Sequence, residues 1–369
     1  MKKIIAIILT AVPFILNAQD ASLKNAFKDD FLIGAAVNQA EFEGDDSSRS
    51  VEIIKQQFNT ISPENALKWM YVEPFPGQFD FRDADQYVAF GQKNHMFIIG
   101  HNLIWHSQTP INVFEDDNGH SVSRDVLIDR MRRHILTVVG RYKGKIGGWD
   151  VVNEALNDDG TLRNSRWRRI IGDDYLVLAY QFAHQADPNA QLYYNDYSLD
   201  NEPKRNGAIA LIKNLQSHGI NIYAVGLQEH DKMDWPTTNQ LDDTITAFAQ
   251  LGVKVSVTEL DIDLLPAATR SEGADVSMRA AGSAGLNPYA NGLPDAMQQK
   301  LAQRYADLFK VLVAHRKDIA RVTFWGVTDG DSWLNDWPVP GRTSYPLLFD
   351  RNGNPKTAFY AVIKTAASK

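Results

Sequence analysis

The chain has 369 residues, 44% of them apolar and 22% charged, the make-up of an ordinary folded globule rather than a disordered or fibrous chain. Its formal charge is −7, which argues against nucleic acid, anionic lipid and polyanionic substrates as partners. Cysteine is absent, so a disulfide, a thiolate metal site and a lipidated cysteine are all excluded, and the core must stabilise itself.

The first segment reads as an export signal: Lys2 and Lys3, an apolar run from Ile4 to Leu16, then Leu16-Asn17-Ala18 as a small-residue cleavage site. The run is too short to cross a bilayer and contains Pro13. Residues 1–18 are therefore expected to be removed on export to the periplasm or the medium. That leaves 19–369 as one domain with an expected charge of −9 and no membrane association.

Strands are expected over 31–37, 58–63, 97–101, 146–152, 191–195, 222–227, 254–258 and 321–327, where short β-rich runs recur. Amphipathic stretches such as 123–142, 174–186, 203–218 and 241–251 fall between them. Alternation of this kind implies right-handed βαβ units and a parallel sheet. Eight units in this length fit a single (β/α)8 TIM barrel of the α/β class. The rival, an open doubly wound sheet, lacks a Gly-rich turn after the first strand to hold a dinucleotide. One long interval, 266–294, is rich in Ala, Gly, Ser, Asn and Pro and reads as an inserted loop. No linker or second domain is evident, and a monomer is expected.

A barrel carries its active site at the carboxyl ends of its strands. The residues that fall there are Glu64, Asn65 and Lys68 after the second strand, and His101, Trp105, His106 and Gln108 after the third. Asn153 and Glu154 end the fourth; Asn195, Asp196 and Tyr197 end the fifth; Gln228 and His230 end the sixth. Glu259 and Asp261 end the seventh, and Trp325, Asp329 and Trp333 end the eighth. A purely structural protein has no reason to gather polar and aromatic residues on one rim eight times over. Glu154 and Glu259 each terminate an apolar strand, and two carboxylates on one rim suit glycoside hydrolysis. Breaking an acetal needs a proton for the leaving oxygen and an anion or base at the sugar carbon.

At these residues the sequence resembles glycoside hydrolase family 10, the retaining endo-β-1,4-xylanases. Trp149-Asp150-Val151-Val152-Asn153-Glu154 resembles the family's acid/base motif, and Thr258-Glu259-Leu260-Asp261 its nucleophile motif. The likeness continues through Ser62-Pro63-Glu64-Asn65-Ala66-Leu67-Lys68-Trp69, through 100–108, Tyr194-Asn195-Asp196-Tyr197, Gln228-Glu229-His230 and Trp325-Gly326-Val327-Thr328-Asp329. These motifs stand in the family's order along the whole mature chain.

The resemblance implies that Glu154 is the general acid and then base, and Glu259 the nucleophile. It implies that Asn153 binds the sugar 2-hydroxyl and that His230, with Gln228 nearby, orients Glu259. Glu64, Asn65, Lys68, His101 and Gln108 would bind two sugars on the non-reducing side. Trp105, Trp325 and Trp333 would wall the reacting sugar, and Tyr197 would lie toward the leaving group. Two departures stand out: Ala66-Leu67 replaces a more usual acidic–apolar pair, and Glu229 occupies a position where a small residue is usual. Glu229 is thus expected to add a carboxylate near the leaving-group subsites, and the 266–294 loop to border the cleft.

Other functions fit less well. His101 and His106 lack the four-residue helical spacing of a metal pair, and Asp116-Asp117-Asn118-Gly119 lacks the alternating ligands of a calcium loop. No metal or cofactor is expected in the chemistry. A non-catalytic glycan-binding barrel would have lost a glutamate or the Asn beside the acid, and all three are present. The expected partner is a neutral polysaccharide, xylan or xylo-oligosaccharides. An exo-acting xylosidase or a hydrolase of another β-1,4-glycan stays open, because loops set the length of the cleft.

Overall fold

The computed structural model describes residues 22–268 and 279–367. The expected export signal and part of the expected loop lie outside those residues.

The barrel strands are β1 (Leu32–Val37), β2 (Thr60–Pro63), β3 (Phe97–Trp105), β4 (Gly148–Asn153), β5 (Gln191–Asp196), β6 (Ala224–Leu227), β7 (Lys254–Asp263) and β8 (Ile319–Phe324). Each pairs in parallel with the next, and β8 returns to β1 from Leu32↔Arg321 to Ala35↔Phe324, so the sheet closes. A helix follows each strand: α1 (Arg49–Gln57), α2 (Arg82–Lys93), α3 (Arg124–Arg141), α4 (Tyr175–Ala186), α5 (Glu202–Ser217), α6 (Thr238–Ala249), α7 (Asp295–Ala314) and α8 (Thr357–Ala366). This is the expected (β/α)8 barrel. An added short strand, His230–Lys232, runs beside the end of β7 with His230 opposite Asp261.

The strands form where Val, Ile and aromatic residues leave little χ1 freedom and are covered on both faces, as in β4, whose six residues are all buried. Close approach of β3 to β4 requires Gly100, since a Cβ there would lie 2.1 Å from the Trp149 ring. Helices start at caps, for example Ser123 Oγ on the Val126 N–H at α3 and the Thr237–Gln240 capping box at α6. The main core lies between sheet and helices, while Ile99, Tyr193 and Ala224 pack together within the barrel.

A paired ionic layer also lies inside. Arg321 sits over the Tyr193 ring and 3.7 Å from Asp150 Oδ1, and Asp150 Oδ2 accepts from His101 Nδ1 at 2.9 Å. Buried charges persist only when paired, and this layer fixes the His101 ring beneath the site. The described end of the 266–294 segment packs on the loop after β8, where Thr343 N donates to Asn287 Oδ1 and Tyr345 Oη to the Tyr289 carbonyl.

Candidate active site

The carboxyl ends of the strands surround a depression of about 170 Å³. It is smaller than the roughly 300–1,000 Å³ of ordinary ligand pockets. Thirteen of the fourteen expected site residues line it: Glu64, Asn65, Lys68, His101, Trp105, Gln108, Asn153, Glu154, Gln228, His230, Glu259, Trp325 and Trp333. Tyr197 does not. It is almost wholly buried, its ring covers the Lys204 ammonium, and its hydroxyl accepts from Arg163 Nη2 at 2.9 Å.

Glu154 stands one residue beyond β4 with a left-handed backbone, φ +55°, and its N–H donates to the Asn195 carbonyl. Trp105 Nε1 donates to Oε2 at 2.8 Å, and Gln228 Nε2 to Oε1 at 3.0 Å. Burial is the largest influence on this carboxyl and raises its pKa; those two donors pull back, and the Glu259 charge pushes the same way as burial. The balance holds Glu154 above the ordinary range.

Glu259, within β7, is as deeply buried. Asn195 Nδ2 donates to its Oε1 at 2.8 Å, and His230 Nε2 lies 3.2 Å from Oε2. Burial again raises the pKa most, but the His230 hydrogen bond, the electrostatic influence of His101 and His230, and Asn195 outweigh it, so Glu259 is held below the ordinary range. His230 Nδ1 lies 3.0 Å from Asp261 Oδ1, and Trp333 Nε1 donates to Asp261 Oδ2 at 2.7 Å. Burial pulls His230 down, yet Asp261 and the two hydrogen bonds push it up to about 10. An imidazolium therefore donates to Asp261 and Glu259 together.

Asn195 joins the two halves. Its amide donates to Asn153 Oδ1 at 2.9 Å as well as to Glu259, and its own Oδ1 accepts from Thr258 Oγ1 at 2.6 Å. Gln228 reaches Asn153 Oδ1 too, at 3.4 Å. These donors fix the Asn153 amide, which would face two amino groups if turned over, and leave its Nδ2 3.3 Å from Glu154 Oε1. Asn195 lies on the rim the sequence marks, but carries no role in the sequence reading; that role depends on which strand faces which across the barrel.

On the other side, Lys68 Nζ donates to Asn65 Oδ1 at 3.1 Å and sits 5.2 Å from the Trp105 ring. Burial lowers the Lys68 pKa, against the charges of Glu259, Glu64 and Glu154. Glu64 is pushed up to about 7, chiefly by burial and also by Asp331, with Lys68 opposing. Gln108 Oε1 has no protein partner among the described residues, as suits an acceptor kept for a sugar hydroxyl. Trp325 stands edge-on to His101 and His230, and Trp333 stacks on Trp337 at 4.4 Å. Two other residues of these strand ends do not line the depression. Glu229, expected near the leaving-group subsites, is buried and does not line this depression. Asp329, although on the rim, is consumed by a buried ion pair with Lys356 at 2.8 Å.

Comparison with known proteins gives a consistent set of likenesses. The family model described as Glycosyl hydrolase family 10 matches residues 22–365. An "Endo-1,4-beta-xylanase A" from Xylanibacter ruminicola is 45% identical over 96% of this chain and 96% of its own. An "Endo-1,4-beta-xylanase" from Geobacillus stearothermophilus is 40% identical over 93% of this chain and 98% of its own. Among solved structures, a GH10 endoxylanase retrieved from a sugarcane soil metagenome superposes with a TM-score of 0.90 at 45% identity, covering 93% of this chain and 99% of that one. Xylanase XynB from Paenibacillus barcinonensis superposes with 0.83 at 36% identity, covering 93% and 98%.

Proposed function

The chain belongs to glycosyl hydrolase family 10, and from that premise we propose that it is an endo-1,4-β-xylanase cutting internal β-1,4-xylosidic bonds of xylan with retention. The observation that carries the mechanism is the opposite bias of two glutamates in one cleft, Glu154 toward its protonated form and Glu259 toward its ionised form. Acid and base roles are assigned where environments push two carboxyls apart.

In the first step Glu259 attacks the anomeric carbon as the bond to the leaving sugar breaks, and the Glu154 proton goes to the departing oxygen. The ester so formed removes the Glu259 charge, and with it the repulsion that favoured protonated Glu154. Glu154 then takes a proton from water, the water oxygen attacks the anomeric carbon, and the ester bond breaks to restore Glu259. Asn153, oriented by Asn195 and Gln228, hydrogen-bonds the 2-hydroxyl as charge develops. His230 returns Glu259 to its ionised, aligned state after each cycle. Glu64, Asn65, Lys68, His101 and Gln108 bind the two non-reducing-side sugars, with Trp105, Trp325 and Trp333 as walls. Tyr197 acts on the leaving-group side through Arg163, whose Nε donates to the Glu154 carbonyl at 3.2 Å.

The acidic chain acts on neutral xylan as a monomer, without nucleic acid. Residues 1–18 serve as the export signal and 19–369 as the catalytic domain in periplasm or medium. Among the described residues no helix is long and apolar enough to cross a membrane. The test is to digest xylan, glucan and mannan separately, size the products, and follow the anomeric protons by NMR. Xylo-oligosaccharides of several lengths, appearing first as the β-anomer, are expected. The α-anomer first, or cleavage only of glucan or mannan, overturns the proposal.

A further inference from the structure

Beside the catalytic network lies a carboxylate group that the reaction does not use. Asp200 follows β5, Glu229 stands between Gln228 and His230, and Asp231 lies in the added short strand; all three are buried. Glu229 reaches both aspartates at hydrogen-bonding distance. Yet among the described residues no N–H or O–H meets Asp200 Oδ1, Glu229 Oε2 or Asp231 Oδ1.

Few countercharges surround them. Arg304 of α7 donates Nη2 to Asp231 Oδ2 at 3.2 Å and to the Pro236 carbonyl at 2.6 Å. Arg205 of α5 is engaged by the Asp200 carbonyl and Thr244 Oγ1, and Thr244 of α6 faces Asp200. Asp261 of β7 adds negative charge toward Asp231. Three facing buried carboxylates are not all ionised beside so little positive charge. Among the described residues no three acidic or imidazole side chains are placed to hold a metal ion. A proton bridges such a pair and removes one of the buried charges.

We propose that Glu229 is a neutral carboxylic acid whose single O–H donates to one of the two facing aspartates, a positioning device that seats Gln228 against Glu154 and His230 against Glu259. The positioning half rests on the roles assigned above to those glutamates. Glu229 has φ +55°, a conformation that a non-glycine residue holds only when its surroundings fix it. Its backbone carbonyl accepts from the Asp261 N–H at 3.2 Å, and the Gln228 carbonyl from the Glu259 N–H at 3.0 Å. The proton bridge is the side-chain anchor of that turn. Burial and then the two aspartates raise Glu229 well above the carboxyl range, and Asp231 is pushed up to about 8, chiefly by burial. A carboxyl with a raised native pKa favours the fold at low pH, and that stability is lost as pH climbs from about 4.5 toward the native value.

The test uses Glu229→Gln, which keeps N–H donors but carries no titrating proton, and Glu229→Ala. Each proton held only by the native state makes the unfolding constant rise about tenfold per pH unit. Between about pH 5 and pH 8, E229Q should lose one proton's share of the wild-type slope. It should also lack an infrared carbonyl band of a buried protonated carboxyl that the wild type shows at neutral pH. E229Q should keep kcat on xylohexaose, while E229A should lose on the order of ten- to a hundredfold in kcat, with KM little changed. Identical slopes and identical infrared bands would remove the proton bridge. E229A with wild-type kcat, or a folded E229Q as inactive as E229A, would remove the positioning role. If the wild type did not cleave xylan, the functional reading would fail, while denaturation and infrared would still decide the proton.

Discussion

Gln228→Leu is the most direct probe of how Glu154 is poised. Gln228 Nε2 donates to Glu154 Oε1 at 3.0 Å in a buried setting, where it favours the ionised carboxylate. A hydrogen bond to a charged group is worth about 1.5–3 kcal/mol, and one pKa unit is about 1.36 kcal/mol. Removing the donor should therefore raise the Glu154 pKa by about 1–2 units. Glu154 works first as an acid, so the alkaline limb of kcat/KM should move upward by that amount. The acid limb, set by Glu259, should stay within a few tenths of a unit, because the Gln228 side chain bonds Glu154 and Asn153 rather than the Glu259 carboxylate. The assay is kcat/KM on xylohexaose against pH, since an unactivated sugar needs its leaving oxygen protonated. The two glutamates are close enough to titrate as a pair, so the limbs are read as apparent values. An aryl xylobioside, whose phenol leaves unaided, should show little alkaline limb in either protein. An unmoved alkaline limb, or a shift of the acid limb instead, would show that Gln228 does not control the acid.

Glu154→Ala should cost about 10²–10⁴-fold on xylan yet spare glycosylation by aryl xylobiosides. Glu259→Ala should abolish both, and a 2-fluoro-xylobioside with a good leaving group should label Glu259 alone by peptide mapping. Asn65→Ala should weaken kcat/KM for short oligosaccharides more than for long ones, which have other subsites to hold them; equal losses would refute its binding role. His230, raised from 6.5 to about 10, should appear as an imidazolium at pH 8 by nitrogen NMR. Its stabilisation is present below about 6.5 and lost as pH rises through about 10, so His230→Gln should flatten the denaturation midpoint across that window. Gly226→Ala should lower kcat, read with xylohexaose, because its new Cβ would lie 2.3 Å from Asn195 Oδ1.

Much of the barrel is legible in the sequence because its strands are short apolar runs with polar ends. The ends themselves are less so. β3 runs on through His101 and Asn102 to Trp105, and β7 through Glu259 and Asp261 to Asp263, where the inside of the barrel is a polar floor and the apolar pattern stops too early. β8, by contrast, ends at Phe324, before the apolar Val327, because the chain turns at Gly326. The helix Arg166–Ile171 is not called out by its sequence, since three of its six residues are arginines. In the site, residue types at strand ends locate the cleft, but not the contacts across it. Asn195 bonding Asn153 and Glu259, and the burial of Glu229, depend on the register between strands and on a backbone dihedral.

The left-handed backbone at Glu154 sets function against durability. A non-glycine residue in that conformation costs roughly 1–2 kcal/mol, and the carboxylate of Glu259 adds repulsion. Glu154→Gly relieves both at once, so a mutant badly damaged on xylan should outlast its parent on heating. Selection for heat resistance that scored melting alone would then drift toward sturdy proteins that grip xylan without cutting it. Thermal engineering of this barrel has to read turnover and unfolding in the same sample.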